Sequence, residues 1–157
     1  MLTDLIQEAV LELGVTVEDL VISYSAAETE ALLEGAEVTA QELKEITETL
    51  ALTEHEHRLI LINAYNLSSI RDVLFAAFHE LRHLWQEQEG WEGGNNSYLS
   101  PRELDANRYA LERVNRASFE DRRLNPSVPS KVERTCRYYA LAGVDLGENH
   151  GHLPHAA

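Results

Sequence analysis

The stretch SIRDVLFAAFHELRHLWQE, residues 69–87, carries the clearest structural signal in this sequence. Its apolar residues recur at steps of three and four positions, which is the spacing of one face of an α-helix. Ser69 followed by Asp72 is typical of a helix N-terminus. We therefore expect a long amphipathic helix with one buried side. That side would be formed by Ile70, Val73, Leu74, Ala77, Phe78, Leu81, Leu84 and Trp85.

The residues before this helix predict a small β-sheet. Two apolar pieces, residues 50–52 and 59–63, flank the polar segment 53–58 and so indicate a β-hairpin, with 59–63 as its better buried strand. Residues 20–24 are rich in β-branched side chains and predict a further strand. Residues 59–63 have two predicted roles that do not exclude each other: a strand at the sheet edge that could pair with an extended substrate, and an ordinary core strand.

Further helices are predicted before, between and after these strands along the sequence. Periodic apolar residues indicate a helix over residues 3–13, and capping signals indicate one or two short helices between residues 25 and 48. Later in the chain, Ser100 and Ser130 each begin a helix, the first with proline at its opening position. Helices and strands in this order predict an α+β fold.

The length and charge of the chain restrict its organisation and its partners. A chain of 157 residues fits one domain, which we expect over residues 1–146, followed by a flexible histidine-containing tail at 147–157. The 13 basic and 27 acidic side chains give a formal charge of −14. Such a surface repels phosphate backbones, so direct binding of nucleic acid is not expected, and a basic partner is favoured.

The sequence argues against a secreted protein, a membrane-spanning protein and a thiolate-rich zinc site. The N-terminus lacks the basic start of a secretory signal, and no apolar stretch approaches the ~20 residues that span a bilayer. We therefore expect a cytoplasmic protein without a membrane segment. Cys136 is the sole cysteine, which excludes an intrachain disulfide and a thiolate-rich zinc ribbon.

The predicted long helix contains the motif His79-Glu80-Leu81-Arg82-His83. Residues four positions apart lie on one helical face, so both imidazoles can bind one metal ion. Glu80 lies beside that face, where it could act as a general base on a metal-bound water. The alternative interpretation is a pair of surface histidines on an amphipathic helix.

A third ligand is expected from the following helix, because catalytic zinc usually has three protein ligands and one water. Glu103 is the candidate, and Asn107 lies one turn further on the same face, where its amide could accept from a histidine ring. Asp105 is a competing ligand that would face another side of the helix. The alternative role for Glu103 is capping of the helix that begins at Ser100.

HELRH at 79–83 followed by ELDANRYA at 103–110 resembles the ImmA/IrrE family of small bacterial and phage zinc metallopeptidases. That family pairs a helical HExxH with a downstream E-x-x-A-[N/D]-x-[F/Y]-A, and the resemblance covers roughly residues 59–111. It implies a zincin-like α+β fold with Zn²⁺ held by His79, His83 and Glu103. Glu80 would be the catalytic base, and Asn107 would support the ligands from outside the coordination sphere.

The same resemblance implies a zinc-dependent endopeptidase with a protein or peptide substrate, since family members cleave or help to inactivate a DNA-binding repressor. A basic repressor would suit the acidic surface of this chain. The chain departs from the family at Arg82, where glycine is common, and we expect this guanidinium to pair with Glu80 or Glu103 or to bind a substrate carboxylate. The alternative function is a non-catalytic acidic module that binds a regulator, with or without metal.

Several further residues receive weaker predictions. The side chains that could stabilise a negatively charged oxygen during peptide hydrolysis are Tyr98, Tyr109, Arg82 and Arg102, and the sequence does not choose among them. We interpret the remaining histidines as solvated polar sequence. These histidines are His55, His57, His150, His152 and His155.

Overall fold

Six α-helices and three β-strands form the part of the chain that the structure, a computed structural model, describes: residues 1–92 and 97–150. Every helix and strand predicted above is found within one or two residues of its expected bounds, and together they form a small α+β domain. The elements are α1 (Leu2–Leu13), β1 (Asp19–Ser23), α2 (Ala26–Leu32), α3 (Ala40–Glu48), β2 (Ala51–Glu54), β3 (Leu59–Asn63), α4 (Ile70–Gln88), α5 (Pro101–Arg116) and α6 (Lys131–Leu141).

Strand β3 lies in the middle of the sheet. It pairs in parallel with β1 and antiparallel with β2, which confirms the predicted hairpin, and its Ile60 and Ile62 are buried in the core. Of the two roles predicted for residues 59–63, the core strand is confirmed and the sheet edge is wrong, because β1 occupies the side of β3 that the hairpin leaves open. The strand at the edge on the hairpin side is β2.

Helix α4 is the central element of the fold. The sheet and α1 pack against it, as do α5 and α6. All of its residues from Ile70 to Phe78 are buried, so the predicted amphipathic pattern understates the burial of its first half. No helix in the described ranges is long and apolar enough to cross a lipid bilayer. The predicted tail lies outside those ranges from residue 151 onward.

A buried carboxylate on α4 joins this helix to α6. Asp72 is almost inaccessible to solvent and accepts hydrogen bonds from Ser68 Oγ at 2.7 Å and Ser130 Oγ at 3.0 Å. It also accepts the backbone N–H groups of Lys131 at 2.8 Å and Val132 at 3.1 Å. These two groups belong to the first turn of α6, where a negative charge offsets the unpaired N–H groups and the helix dipole. Asp72 therefore fixes the start of α6 against α4.

We expect Asp72→Ala to lower the free energy of unfolding by roughly 3 kcal/mol, because it leaves several buried donors without an acceptor. The measurement is chemical denaturation followed by circular dichroism. Asp4→Ala, which removes a carboxylate at the exposed start of α1, is the matched control and should leave the unfolding midpoint unchanged. Equal midpoints for the two variants would contradict the anchoring role of Asp72.

Candidate metal centre

Helices α4 and α5 bring His79, His83 and Glu103 together, as the motif spacing predicts. The two imidazole Nε2 atoms lie 3.0 Å apart, and Glu103 Oε2 lies 2.9 Å from His83 Nε2 and 3.3 Å from His79 Nε2. All three side chains are half-buried. Two nitrogen atoms and one carboxylate oxygen thus converge on one point at the end of a cleft.

The first turn of α5 places the Glu103 carboxylate. Ser100 Oγ accepts the backbone N–H of Glu103 at 3.4 Å, and Pro101 occupies the first helical position. The capping alternative for Glu103 therefore involves only its backbone. Its side chain is free to reach across to α4, where it contacts both imidazoles.

The orientation of the Gln86 amide determines the tautomer of His83. Gln86 Nε2 donates to the Arg102 carbonyl at 2.8 Å and to Asp105 Oδ2 at 2.9 Å, and both of these groups can only accept. Gln86 Oε1 must therefore be the atom that faces His83 Nδ1, at 2.9 Å. An amide oxygen cannot donate, so Nδ1 carries a proton, and in the neutral ring Nε2 points its lone pair toward Glu103.

A second chain of buried polar groups fixes the tautomer of His79 in the same way. The Tyr139 hydroxyl donates its one proton to the Tyr98 carbonyl, so it must accept from Asn107 Nδ2, at 3.0 Å. Asn107 Oδ1 then faces His79 Nδ1 at 2.9 Å and accepts its proton. This is the role that the sequence predicts for Asn107, and in the neutral ring it leaves His79 Nε2 unprotonated.

The three converging atoms fit a bound cation. Two unprotonated nitrogens and a carboxylate oxygen would repel each other at 2.9–3.3 Å unless a positive charge lies among them. Around four-coordinate zinc, with bonds of about 2.0–2.1 Å, ligand atoms lie roughly 3.3 Å apart. The set of two imidazoles and one carboxylate is one that catalytic zinc sites use, and each imidazole has the outer acceptor that such ligands need.

The pKa shifts of the site point in the same direction. Burial alone would raise the pKa of the Glu103 carboxyl, but its hydrogen bonds to His79 and His83 outweigh burial and hold that pKa well below its usual range. Burial alone would lower the pKa of His83, whereas its hydrogen bonds to Glu103 and Gln86 prevail and raise it. The charged Glu103 carboxylate therefore favours a positive charge beside it, either on His83 or on a cation held between the two groups.

Glu80 lies beside the three converging groups and not among them. Its Oε1 accepts from Thr53 Oγ1 on β2 at 2.8 Å, and its Oε2 lies 3.7 Å from His79 Nε2. The hydrogen bond from Thr53 orients the carboxylate toward the cleft. Glu80 is thus in a position to contact a small molecule, such as water, held at the point where His79 and Glu103 meet.

The site opens into a cleft of about 310 Å³ between β2 and α6. One wall comes from the segment 49–51 that leads into β2, and the opposite rim comes from Tyr98 and Lys131. The cleft is lined by Thr49, Leu50, Ala51, Phe75, Ala76, His79, Glu80, Tyr98, Glu103 and Lys131. Its floor therefore contains Glu80 and two of the three converging groups.

The expectation that Arg82 pairs with Glu80 or Glu103, or is free for a substrate carboxylate, is wrong. Arg82 forms a two-point ion pair with Asp105, with Nε–Oδ2 at 2.8 Å and Nη2–Oδ1 at 3.2 Å. Its guanidinium also stacks on the ring of Trp85, 3.7 Å from the centroid. Arg82 faces away from the cleft, so Asp105 is engaged there and is not a ligand.

The other histidines of the described ranges, His55, His57 and His150, lie apart from this centre. His57 is exposed in the β2–β3 turn, where it forms a loose cluster with Glu54 and Glu56, and the exposed His55 contacts Glu87. His150 pairs with Glu148 on the surface. His152 and His155 lie outside the described residues.

Three residues of the site were not predicted from the sequence. Gln86 lies three positions after His83 and therefore on the same helical face, a spacing that could have identified it. Thr53 and Tyr139 come from distant parts of the chain, on β2 and α6, and no local pattern singles them out. Their roles follow only from tertiary packing.

Comparison with known proteins finds no matching family model, no matching curated protein and no matching solved structure. The similarity to the ImmA/IrrE family therefore remains a resemblance carried by the two motifs at residues 79–83 and 103–110.

We expect both imidazoles of the metal-free protein to carry their proton on Nδ1 at pH 9, well above the ordinary imidazole pKa of about 6.5. Long-range ¹H–¹⁵N correlation spectra of the two rings measure this directly. In Gln86→Leu, His83 should lose this preference because its Nδ1 has no acceptor, while His79 should keep it. Gln88→Leu, on the exposed end of α4, is the control. Protonated Nε2 atoms in the wild type would refute the assignment.

Proposed function

We propose that this protein is a zinc-dependent endopeptidase with a zincin-like arrangement of its sheet and its two ligand-bearing helices. The observation that carries the proposal is the convergence of two imidazole Nε2 atoms and the Glu103 carboxylate beside an open cleft, with a second carboxylate, Glu80, next to them. Three ligands and an adjacent general base are the minimum that metal-assisted hydrolysis requires.

His79, His83 and Glu103 would hold the zinc ion. When bound, zinc lowers the pKa of a water molecule and polarises the carbonyl group that this water attacks. The hydrogen bonds from each Nδ1 to Asn107 and Gln86 support this role, because they keep both rings in the tautomer that can bind metal.

Glu80 would act as the general base. Its carboxylate takes a proton from the attacking water and passes it to the nitrogen of the departing amine. The hydrogen bond from Thr53 occupies Oε1 and leaves Oε2, the oxygen nearer to His79, for this proton transfer. Thr53 would therefore be a positioning residue for the base.

The edge of β2 is the most suitable place for an extended substrate. The N–H of Asn63 on β3 bonds the Leu50 carbonyl, so by the alternation of antiparallel pairing the backbone groups of Ala51 and Thr53 point away from β3. A peptide that pairs with this edge would pass over the floor of the cleft. This assigns to β2 the role that the sequence suggested for residues 59–63.

A basic protein, such as a DNA-binding repressor, is the substrate class that the charge favours. The chain has a formal charge of −14, and its first basic residue is Lys44. A strongly acidic surface attracts a basic partner and raises the rate of encounter at low salt. The peptides cleaved in the experiment below should accordingly be richer in Lys and Arg than those left intact.

Elemental analysis of tag-free protein should find about one zinc per chain, the stoichiometry of a single catalytic site. The double variant His79→Ala/His83→Ala should lose this zinc. The control, His55→Ala/His57→Ala, removes two histidines from the exposed β2–β3 turn and should retain the zinc of the wild type. Equal zinc in all three proteins, or none after zinc is supplied, would contradict the proposed centre.

Glu80→Gln should retain zinc and lower the rate of peptide hydrolysis by about 10²–10⁴-fold, the contribution of a positioned general base. The substrate is a proteome-derived peptide mixture, and mass spectrometry counts the new termini produced by each zinc-loaded protein. Glu87→Gln, on the exposed end of α4, is the matched control and should cleave as the wild type does. A zinc-loaded wild type that cleaves nothing would instead favour the non-catalytic interaction module.

A further inference from the structure

We propose that the Tyr98 hydroxyl donates a hydrogen bond to the scissile carbonyl oxygen as negative charge develops on it, and that Lys131 is the positioning residue that orients this hydroxyl. This inference rests on the proposed function, which it deepens by assigning the group that stabilises the charged oxygen. The sequence offers four candidates for that group, and the structure distinguishes among them.

Three of the four candidates, Arg82, Arg102 and Tyr109, lie away from the cleft. Arg82 is paired with Asp105 and lies between the rings of Trp85 and Tyr109, 4.9 Å from the centroid of the latter. Arg102 contacts Gln86 Oε1, behind the imidazoles, at 3.3 Å. Of the four, only Tyr98 lines the cleft that contains Glu80 and Glu103.

The hydrogen bond from Lys131 directs the Tyr98 proton. Lys131 Nζ lies 2.6 Å from Tyr98 Oη, and an ammonium group can only donate. Tyr98 Oη is thus the acceptor, and its own proton must point elsewhere. Within the described residues this hydroxyl takes part in no other hydrogen bond, so its O–H is available to a ligand in the cleft.

Buried groups hold both members of this pair in place. The Tyr98 carbonyl accepts from the hydroxyl of the buried Tyr139. The backbone N–H of Lys131 bonds the buried Asp72 at 2.8 Å. A donor held in advance needs little reorganisation when charge develops, which is the condition for effective stabilisation of a charged oxygen.

Tyr98 is also tied to the metal-binding histidines through Tyr139. The Tyr139 hydroxyl joins the Tyr98 carbonyl to Asn107, and Asn107 in turn accepts from His79 Nδ1. Tyr139 and Asn107 are both buried. The backbone of Tyr98 therefore has a fixed position relative to His79.

Hydrolysis of the peptide bond would proceed by addition of water to the carbonyl group, followed by loss of the amine. The water oxygen adds to the carbonyl carbon, the π pair of the C=O bond moves to the carbonyl oxygen, and Glu80 accepts the proton that water loses. The Tyr98 O–H donates to the negative oxygen, and the ammonium of Lys131 adds a favourable charge behind it. The C–N bond then breaks as the C=O bond reforms, and the proton on Glu80 passes to the departing amine.

The first experiment compares zinc-loaded Tyr98→Phe with Tyr138→Phe, which loses a hydroxyl from the adjacent, exposed ring. The substrate is the peptide that the wild type cleaves fastest in the mixture described above. We expect Tyr98→Phe to lower kcat by about 10²-fold with little change in KM, as for the loss of one donor to a charged oxygen. Tyr138→Phe should stay within about twofold of the wild type, and all three proteins should hold equal zinc.

The second experiment measures the binding of a stable compound that imitates the charged oxygen, so that no turnover is needed. An N-phosphoryl-leucyl dipeptide presents a tetrahedral anion to the site, whereas a mercaptoacyl dipeptide binds the metal through sulfur alone. Calorimetric titration should show that Tyr98→Phe and Lys131→Met each lower the affinity for the phosphoryl compound by 10-fold or more. The affinity for the mercaptan should not change. Lys131→Arg should recover most of the loss, because it restores a positive donor.

The outcomes separate this inference from the proposed function. If the wild type holds zinc and cleaves peptides, but Tyr98→Phe matches Tyr138→Phe in kcat and in both titrations, only the role of Tyr98 is overturned. If the wild type holds no zinc, the proposed function and this inference fall together. If Lys131→Met lowers the affinity for both compounds equally, Lys131 acts through the structure of the cleft and is not a positioning residue for Tyr98.

Discussion

The burial of α4 on nearly all sides is the constraint on which the rest of the structure depends. The sheet, α1, α5 and α6 all pack against it, and its first half is buried around the whole circumference. Such a helix can present only a short stretch to a cleft, and here that stretch contains His79 and Glu80, with His83 one turn further along the helix. Because α4 cannot rotate without disrupting the core, the two imidazoles are held in place before any ligand binds.

The need to satisfy buried amides then determines the protonation of those imidazoles. Gln86 and Asn107 are buried. Each buried polar group that is left without a hydrogen-bond partner would lower the stability of the fold by about 1–3 kcal/mol. Their NH₂ groups therefore bond the available acceptors, and their oxygens are left to face the two Nδ1 atoms. Tyr139 completes the chain at Asn107. The hydrogen bonding of the core thus leaves both Nε2 lone pairs directed at Glu103.

Features that depend on short spacings could be predicted from the sequence, and features that depend on the relative rotation of elements could not. The shared face of His79 and His83 follows from helical geometry alone, as does the start of α5 at Ser100. The partner of Arg82 depends on how α5 is rotated against α4, which periodicity does not determine. The position of residues 59–63 within the sheet depends on where β1 joins it. Thr53 reaches Glu80 only because β2 lies beside α4 in the folded chain.

Helix α4 also sets the spacing between the metal-binding groups and the rim of the cleft. Asp72 and His79 lie about two turns apart on this helix. Asp72 fixes the start of α6, and with it Lys131, whose ammonium reaches Tyr98. A carboxylate that stabilises the junction of two helices therefore also determines where the one lysine of the cleft lies. The same buried interactions that stabilise this fold consequently position groups on opposite sides of the cleft.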